Sequence, residues 1–195
     1  DLSYSIEQTD DGGYIISGST TSFGVGSIAV YLIKTDSNGN LIWTKSFVSA
    51  NGVRSNSVQK TLDGGYIIAG SHYSLALGGY DVFLIKTDSS GNSLWTRTFG
   101  GINDDQGFSC QQTTDGGYIV AGETQSNDGN VTGNHSGERD IWITKLNSDG
   151  GVIEWQKAYG GVSNEFLTKI KQTSDGGYII VGYTESNNGD VTVNH

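Results

Sequence analysis

The sequence predicts an all-β chain built of repeated four-stranded antiparallel meanders. Three observations carry this expectation. The string D-G-G-Y-I occurs four times in 195 residues, starting at Asp11, Asp63, Asp115 and Asp175, at spacings of 52, 52 and 60; self-similarity at a near-fixed period marks a repeat architecture. A second string, V-Y-L-I-K-T-D-S-N-G-N-L-I-W-T-K from Val30 to Lys45, returns from Val82 to Arg97. With one extra residue before its Trp it returns again from Ile141 to Lys157. Ile and Val together number 30 against 10 Leu, and no segment shows helical apolar spacing. Branched side chains at period 2 suit a pleated surface.

Each repeat reads as four strands in order. The first is a short run such as Leu2 to Gln8 or Gly107 to Gln112. A tight turn follows on Gly12-Gly13, Gly64-Gly65, Gly116-Gly117 and Gly176-Gly177, where glycine supplies the positive φ that a hairpin needs. The second strand is Tyr14 to Ser19 and its copies, and a variable loop leads to the third, Ala29 to Thr35. Asp36-Ser37-Asn38-Gly39 turns the chain into the fourth, Leu41 to Phe47. Gly100-Gly101 and Gly160-Gly161 then lead onward. The repeats span about 1–49, 50–101, 102–161 and 162–195, three and a half in one continuous region. In Tyr66-Ile67-Ile68-Ala69 and Val82-Phe83-Leu84-Ile85 both alternating faces are apolar, so these strands are expected to be covered on both sides. Four strands and a Trp in each repeat of roughly 40–50 residues is the pattern of β-propeller blades.

Composition bounds the function. With 11 Lys and Arg against 21 Asp and Glu the formal charge is −10, which argues against nucleic acid or an anionic membrane surface as partner. No apolar stretch approaches the ~18 residues of a spanning helix. Glycine is abundant at 30 residues and proline absent. The single Cys110 lies in an apolar-alternating stretch and is expected to be a buried small hydrophobe. Few cysteines and a polar, acidic surface fit a secreted or cell-surface protein. The chain begins inside one repeat and stops inside another, so an excerpt of a longer propeller, or a chain whose terminal faces another copy covers, is expected.

The D-G-G-Y-I-I-x-G strand, the K-T-D-S-x-G-N-x-x-W hairpin and the G-G-x-x-D-D linker together resemble the β-propeller repeats of bacterial and archaeal secreted and cell-surface proteins. The D-x-x-G-x-x-x-W part is also similar to the tryptophan-docking motif of quinoprotein-type and outer-membrane-assembly propellers. That resemblance implies that one blade packs on the next through Trp. The second repeat departs from the linker pattern: Val53 stands where others carry Asp1, Asp105 or Glu165, and Val48-Ser49 replaces Gly-Gly.

Trp43, Trp95 and Trp155 recur once per repeat and are expected to be buried docking residues, each worth ~3–5 kcal/mol. Tyr14, Tyr66, Tyr118 and Tyr178 open the second strand of every copy and are expected to pack; Trp142 is expected in the core. Lys34, Lys86 and Lys145 also recur; they are expected to lay their stems over apolar blade surface, with a repeated salt bridge as the other reading.

Candidate chemistry is sparse. The loop Ser126 to Asp140 departs most from the repeat, and its start recurs at Ser186 to His195. Asp128, Asn130 and Asp190 there are hard oxygen donors and weak calcium candidates, although the spacing is not that of an EF-hand; ordinary turn chemistry is the other reading. His135 and His195 hold matching places without the spacing of a zinc site. Asp104-Asp105 and Asn164-Glu165 offer carboxylates of the kind glycosidases pair, but on linkers, where turn and capping roles are expected. Asn130 and Asn134 begin glycosylation sequons. No catalytic constellation and no required cofactor is expected. The expected function is a non-catalytic extracellular propeller module that binds protein or glycan, or serves as scaffold. The alternatives are an enzyme of glycoside hydrolase, lyase or quinoprotein type with its site on the propeller face or in further blades, and a structural subunit of a surface assembly or filament. Partners would include the remaining blades of a parent chain or another copy, because an uncovered terminal blade exposes an apolar face.

Overall fold

The computed structural model describes residues 1–22, 27–49, 51–74, 78–135 and 138–190. The first sheet comprises β1 (Leu2–Gln8), β2 (Tyr14–Thr20), β3 (Ala29–Thr35) and β4 (Leu41–Val48). The second comprises β5 (Val53–Lys60), β6 (Tyr66–Ser74), β7 (Gly79–Thr87) and β8 (Ser93–Phe99). The third comprises β9 (Asp105–Gln112), β10 (Tyr118–Thr124), β11 (Asp140–Leu146) and β12 (Ile153–Tyr159). A last, two-stranded sheet pairs β13 (Glu165–Gln172) with β14 (Tyr178–Thr184). Every sheet is an antiparallel meander in chain order, and the described residues contain no helix. The fold is the all-β, blade-like architecture that the repeats predict.

The glycine that closes D-G-G-Y-I-x-x-G is explained by register. The first strand of each sheet carries a bulge, between Ser3 and Ser5, Ser55 and Ser57, Gly107 and Ser109, and Leu167 and Lys169, opposite that glycine. A Cβ on Gly18, Gly70, Gly122 or Gly182 would lie 2.0, 1.7, 1.9 or 2.2 Å from a carbonyl oxygen of the bulged strand. Only a residue without a side chain lets the kinked strand approach this closely. The pairing that follows the bulge carries β9 back to Asp105 opposite Thr124, two residues before the expected start at Gly107.

Three apolar clusters join the sheets in sequence order. Ile15, Val30 and Leu32 of the first sheet meet Val53, Val58, Ile68 and Ile85 of the second. Ile67, Ala69, Val82 and Leu84 on the other face of the second meet Cys110, Val120 and Trp142 of the third. Ile119, Ala121 and Ile143 meet Leu167 and Ile170. The middle sheets are therefore covered on both faces, which is why their inner strands are apolar at consecutive positions. The outer faces remain exposed at Leu2, Tyr4 and Ile6 on one side and at Ile179, Val181 and Tyr183 on the other.

The recurrent Trp joins neighbours without the full burial expected: Trp43 and Trp95 are half-buried and Trp155 is exposed. Trp43 lies 6.2 Å from the Tyr66 ring of the next sheet, Trp95 5.5 Å from Tyr118, and Trp155 5.7 Å from Tyr178. Each of the first two also lies across a turn glycine of the next sheet: a Cβ on Gly91 would come 2.7 Å from Trp43 Cη2, and one on Gly150 2.5 Å from Trp95 Cη2. Tyr66 and Tyr118 are consequently buried, whereas Tyr14 and Tyr178 are half-exposed. Trp142 is in the core, its Nε1 donating to Gln156 Oε1 at 2.8 Å.

Of the two readings of the recurrent lysines, the structure shows the repeated salt bridge and not snorkelling stems. Lys34, Lys86 and Lys145 are buried to the ammonium, which pairs with the Asp of the D-G-G turn in its own sheet. Lys34 Nζ reaches Asp11 Oδ2 at 2.8 Å, Lys86 Nζ reaches Asp63 Oδ2 at 2.8 Å, and Lys145 Nζ reaches Asp115 Oδ2 at 3.0 Å. Each also donates to a strand-end carbonyl, of Thr35, Thr87 or Leu146. The same Asp accepts the amide of the second turn glycine and a Thr hydroxyl two residues upstream. The first glycine of each turn, Gly12, Gly64, Gly116 and Gly176, has φ between 79° and 85°. Turn, strand end and lysine therefore form one polar lock in each four-stranded sheet, in which the ammonium replaces its lost water with protein acceptors.

Candidate functional site

The second sheet departs from its copies in the hairpin between β6 and β7, whose strands run nine residues each. The extension adds the pair Tyr73 and Tyr80, in register across the strands, with ring centroids 5.2 Å apart and edge-on. These rings, with Ser27, Ile28, Asn51, Gly52, Arg54 and Ser71, line a cleft of about 300 Å³ where the first two sheets meet. Arg54 stands opposite Ser71 in register. The Ser71 hydroxyl is buried and has no hydrogen-bond partner. The cleft combines aromatic surface, a guanidinium, an amide and an unsatisfied hydroxyl, a mixture that suits a small polar ligand with flat apolar faces. Sequence reasoning missed it; the signal was Tyr73 and Tyr80 at positions where the other copies carry no aromatic pair.

A second set of polar groups lies at the sheet junctions. Asp81 is the third residue of β7 and Asp105 opens β9, and both are fully buried. They converge above Gly100: a Cβ there would lie 2.0 Å from Asp81 Oδ1 and 2.8 Å from Asp105 Oδ2. Asp105 accepts the Thr124 hydroxyl on Oδ1, and the Gly101 amide at 2.7 Å and Ser126 hydroxyl at 2.8 Å on Oδ2. Neither oxygen of Asp81 has a hydrogen-bond partner. Burial, with the Asp105 carboxylate beside it, pushes Asp81 up to about 6.

The next junction repeats this arrangement with Asp140, Gly160 and Glu165. A Cβ on Gly160 would lie 2.2 Å from Asp140 Oδ1 and 2.3 Å from Glu165 Oε2. Here the long loop supplies a base. Asp140 Oδ2 accepts the His135 amide at 2.8 Å and lies 2.7 Å from His135 Nδ1, while His135 Nε2 lies 3.5 Å from Asp190 Oδ2. The hydrogen bond to Asp140 holds the His135 ring above its ordinary pKa, and burial raises Asp140 against the pull of that histidine.

The candidate calcium ligands are occupied by backbone. Asp128 Oδ1 accepts the Ile102 amide at 2.9 Å, Asn130 Oδ1 accepts the Gly100 amide at 3.4 Å, and Asp190 Oδ2 accepts the Gly160 amide at 3.3 Å. They staple the loops to the preceding linker and are not gathered into one shell. Among the described residues no group of three or more His, Cys, Asp or Glu converges as a metal centre. His195 lies outside the described residues. Asp104 Oδ1 takes the amide of Tyr80 in β7 at 2.9 Å, a long-range bond and not a turn, and Asn164 O takes the Glu185 amide. Asn134 is buried, its Nδ2 bonded to Thr124 O and Glu138 O. His72 packs its ring 6.0 Å from Phe83.

No protein-family model matches the chain. In an alignment of 179 residues that covers 83% of the chain, it is 26% identical to regulatory protein FlaEY of Caulobacter vibrioides, and it spans 18% of that protein's length. Among solved structures, an apocarotenoid oxygenase variant of Synechocystis is similar over 80% of this chain and 38% of its own, with TM-score 0.46 and 11% identity.

Proposed function

We propose that the chain is a non-catalytic binding module of a secreted or cell-surface propeller, and that the cleft between Tyr73, Tyr80, Arg54 and Asn51 recognises a glycan. The observation that carries this reading is the Tyr73–Tyr80 pair set beside Arg54 and Asn51 in one cleft. A sugar ring offers an apolar C–H face to an aromatic ring and hydroxyls to a guanidinium and an amide. The recurrent Trp, Tyr, Lys and Asp support the non-catalytic part, since they are engaged in docking sheets and locking turns. The name of the Caulobacter relative, a regulatory protein, accords with recognition rather than turnover.

A glycan array probed with the wild-type chain, Tyr73→Ala and Tyr80→Ala tests the reading. Binding is expected in the wild type and a loss of tenfold or more in each variant, since removing an aromatic platform costs on the order of 1–2 kcal/mol. Binding unchanged in both variants, or no glycan bound at all, would overturn it. A second reading, assembly through end faces, has its own support in the exposed Leu2, Tyr4 and Ile6 and in Ile179, Val181 and Tyr183; analytical ultracentrifugation showing concentration-dependent association would favour it.

A further inference from the structure

We propose that the junction between the second and third sheets is a calcium site, with Asp81 and Asp105 as its carboxylate ligands over Gly100. Asp81 is 1% exposed, and both of its carboxylate oxygens lack any hydrogen-bond partner. One of them is aimed at the space that Asp105 also faces. A proton shared between the two acids would satisfy a single oxygen of Asp81, whereas a cation with its remaining shell of carbonyl and water oxygens serves both. Two buried carboxylates, neither ion-paired to a cationic side chain among the described residues, form the hard, anionic pocket that calcium takes.

The repeats supply internal comparisons. At the first junction the corresponding positions are Ala29, Val48 and Val53, so both acids and the glycine are replaced together by apolar residues. At the third junction both acids are present as Asp140 and Glu165, and His135 brings a ring nitrogen to within 2.7 Å of Asp140. The acids thus occur as a set with the glycine that makes room above them. Where the long loop is present it answers them with its own base. The second sheet has the acids and the glycine; His72 stands opposite Asp81 in register, but its Nδ1 and both Asp81 oxygens make no hydrogen bond. This junction is separate from the Tyr73–Tyr80 cleft, and neither proposal depends on the other.

Calcium chloride titrated into the chelator-treated 195-residue chain, followed by calorimetry and by thermal melting, tests the site. We expect one ion per chain, and a melting temperature about 5–10 °C higher once calcium stands about a hundredfold above its dissociation constant. Asp81→Asn should abolish both responses. The triple variant Asp81→Ala/Gly100→Val/Asp105→Val, which copies the first junction, should fold and be indifferent to calcium. Absence of heat and of any melting shift in the wild type at millimolar calcium would overturn the proposal whether or not the variants fold. So would an equal response in Asp81→Asn or an equal response to magnesium.

Discussion

Truncating Trp95 tests whether the recurrent indole holds one sheet against the next. The ring meets Tyr118 edge-on at 5.5 Å, carries the Arg97 guanidinium 5.3 Å from its centroid, and lies across Gly150. Removing a fully buried Trp costs about 3–5 kcal/mol. Half burial reduces that to about 2 kcal/mol, and the edge-on pair restores about 1 kcal/mol, so Trp95→Ala should cost about 3 kcal/mol. Trp155 keeps its tyrosine partner, but no turn glycine is packed against it among the described residues, and it is 39% exposed. Trp155→Ala should therefore cost about 1–2 kcal/mol, from the smaller area removed. Urea unfolding at an m-value of roughly 2 kcal/mol/M separates the two by a midpoint difference of about 0.5–1 M. Gly150→Ala sharpens the test. Its Cβ would lie 2.5 Å from Trp95 Cη2 and its φ is +66°, whereas Gly39, with φ +83°, has nothing within 4 Å. Gly39→Ala thus reads backbone strain alone, about 1 kcal/mol. Gly150→Ala should cost more than that in the wild type and fall to the same value in Trp95→Ala. Equal losses at Trp95 and Trp155, or no coupling between Trp95 and Gly150, would refute the docking account.

Two further outcomes follow from the polar locks and the core. Asp63 is drawn toward higher pKa by burial, but the Lys86 ammonium, the Thr61 hydroxyl and the Gly65 amide outweigh this and bring it down to about 2; the Thr113 hydroxyl and then Lys145 and Gly117 bring Asp115 to about 2. A depressed carboxyl contributes stability above its unfolded value near ~3.9 and loses it as pH falls through the folded value. The wild type should therefore lose stability between about pH 4 and pH 2, and Lys86→Met should flatten that slope by no more than about 1 kcal/mol because Asp63 is half-exposed; an unchanged slope in urea melts would contradict the lock. Burial pushes the Cys110 thiol up to about 12, so a disulfide reagent at pH 8 should label it only at the rate of unfolding. Stoichiometric labelling of the folded chain within seconds would show the thiol to be accessible.

The repeat made the strands legible because hairpin turns and branched runs are local. The D-G-G and S-x-G-N strings predict the turns from φ preferences alone, and the strands they bound at Tyr14, Ala29 and Leu41 begin where the sequence places them. The lysines were harder to read. Lys86 and Asp63 are 23 residues apart and meet only because β6 and β7 are paired neighbours, so a snorkelling stem and a buried ion pair look alike in sequence. Asp105 was visible as a repeated linker acid, but Asp81 was not singled out, and the convergence of the two over Gly100 depends on how one sheet stacks on the next.

By itself the sequence determined the all-β class, the four-strand period, the turns and the aromatic that recurs once per repeat, since each follows from side-chain spacing and backbone preference within a few residues. Only the tertiary structure decided which charges are buried together, that Ser71 and both oxygens of Asp81 lack partners, and that Tyr73 and Tyr80 frame a cleft. Burial and electrostatic pairing depend on atoms supplied by other strands and other sheets, and those distances do not exist until the sheets have packed.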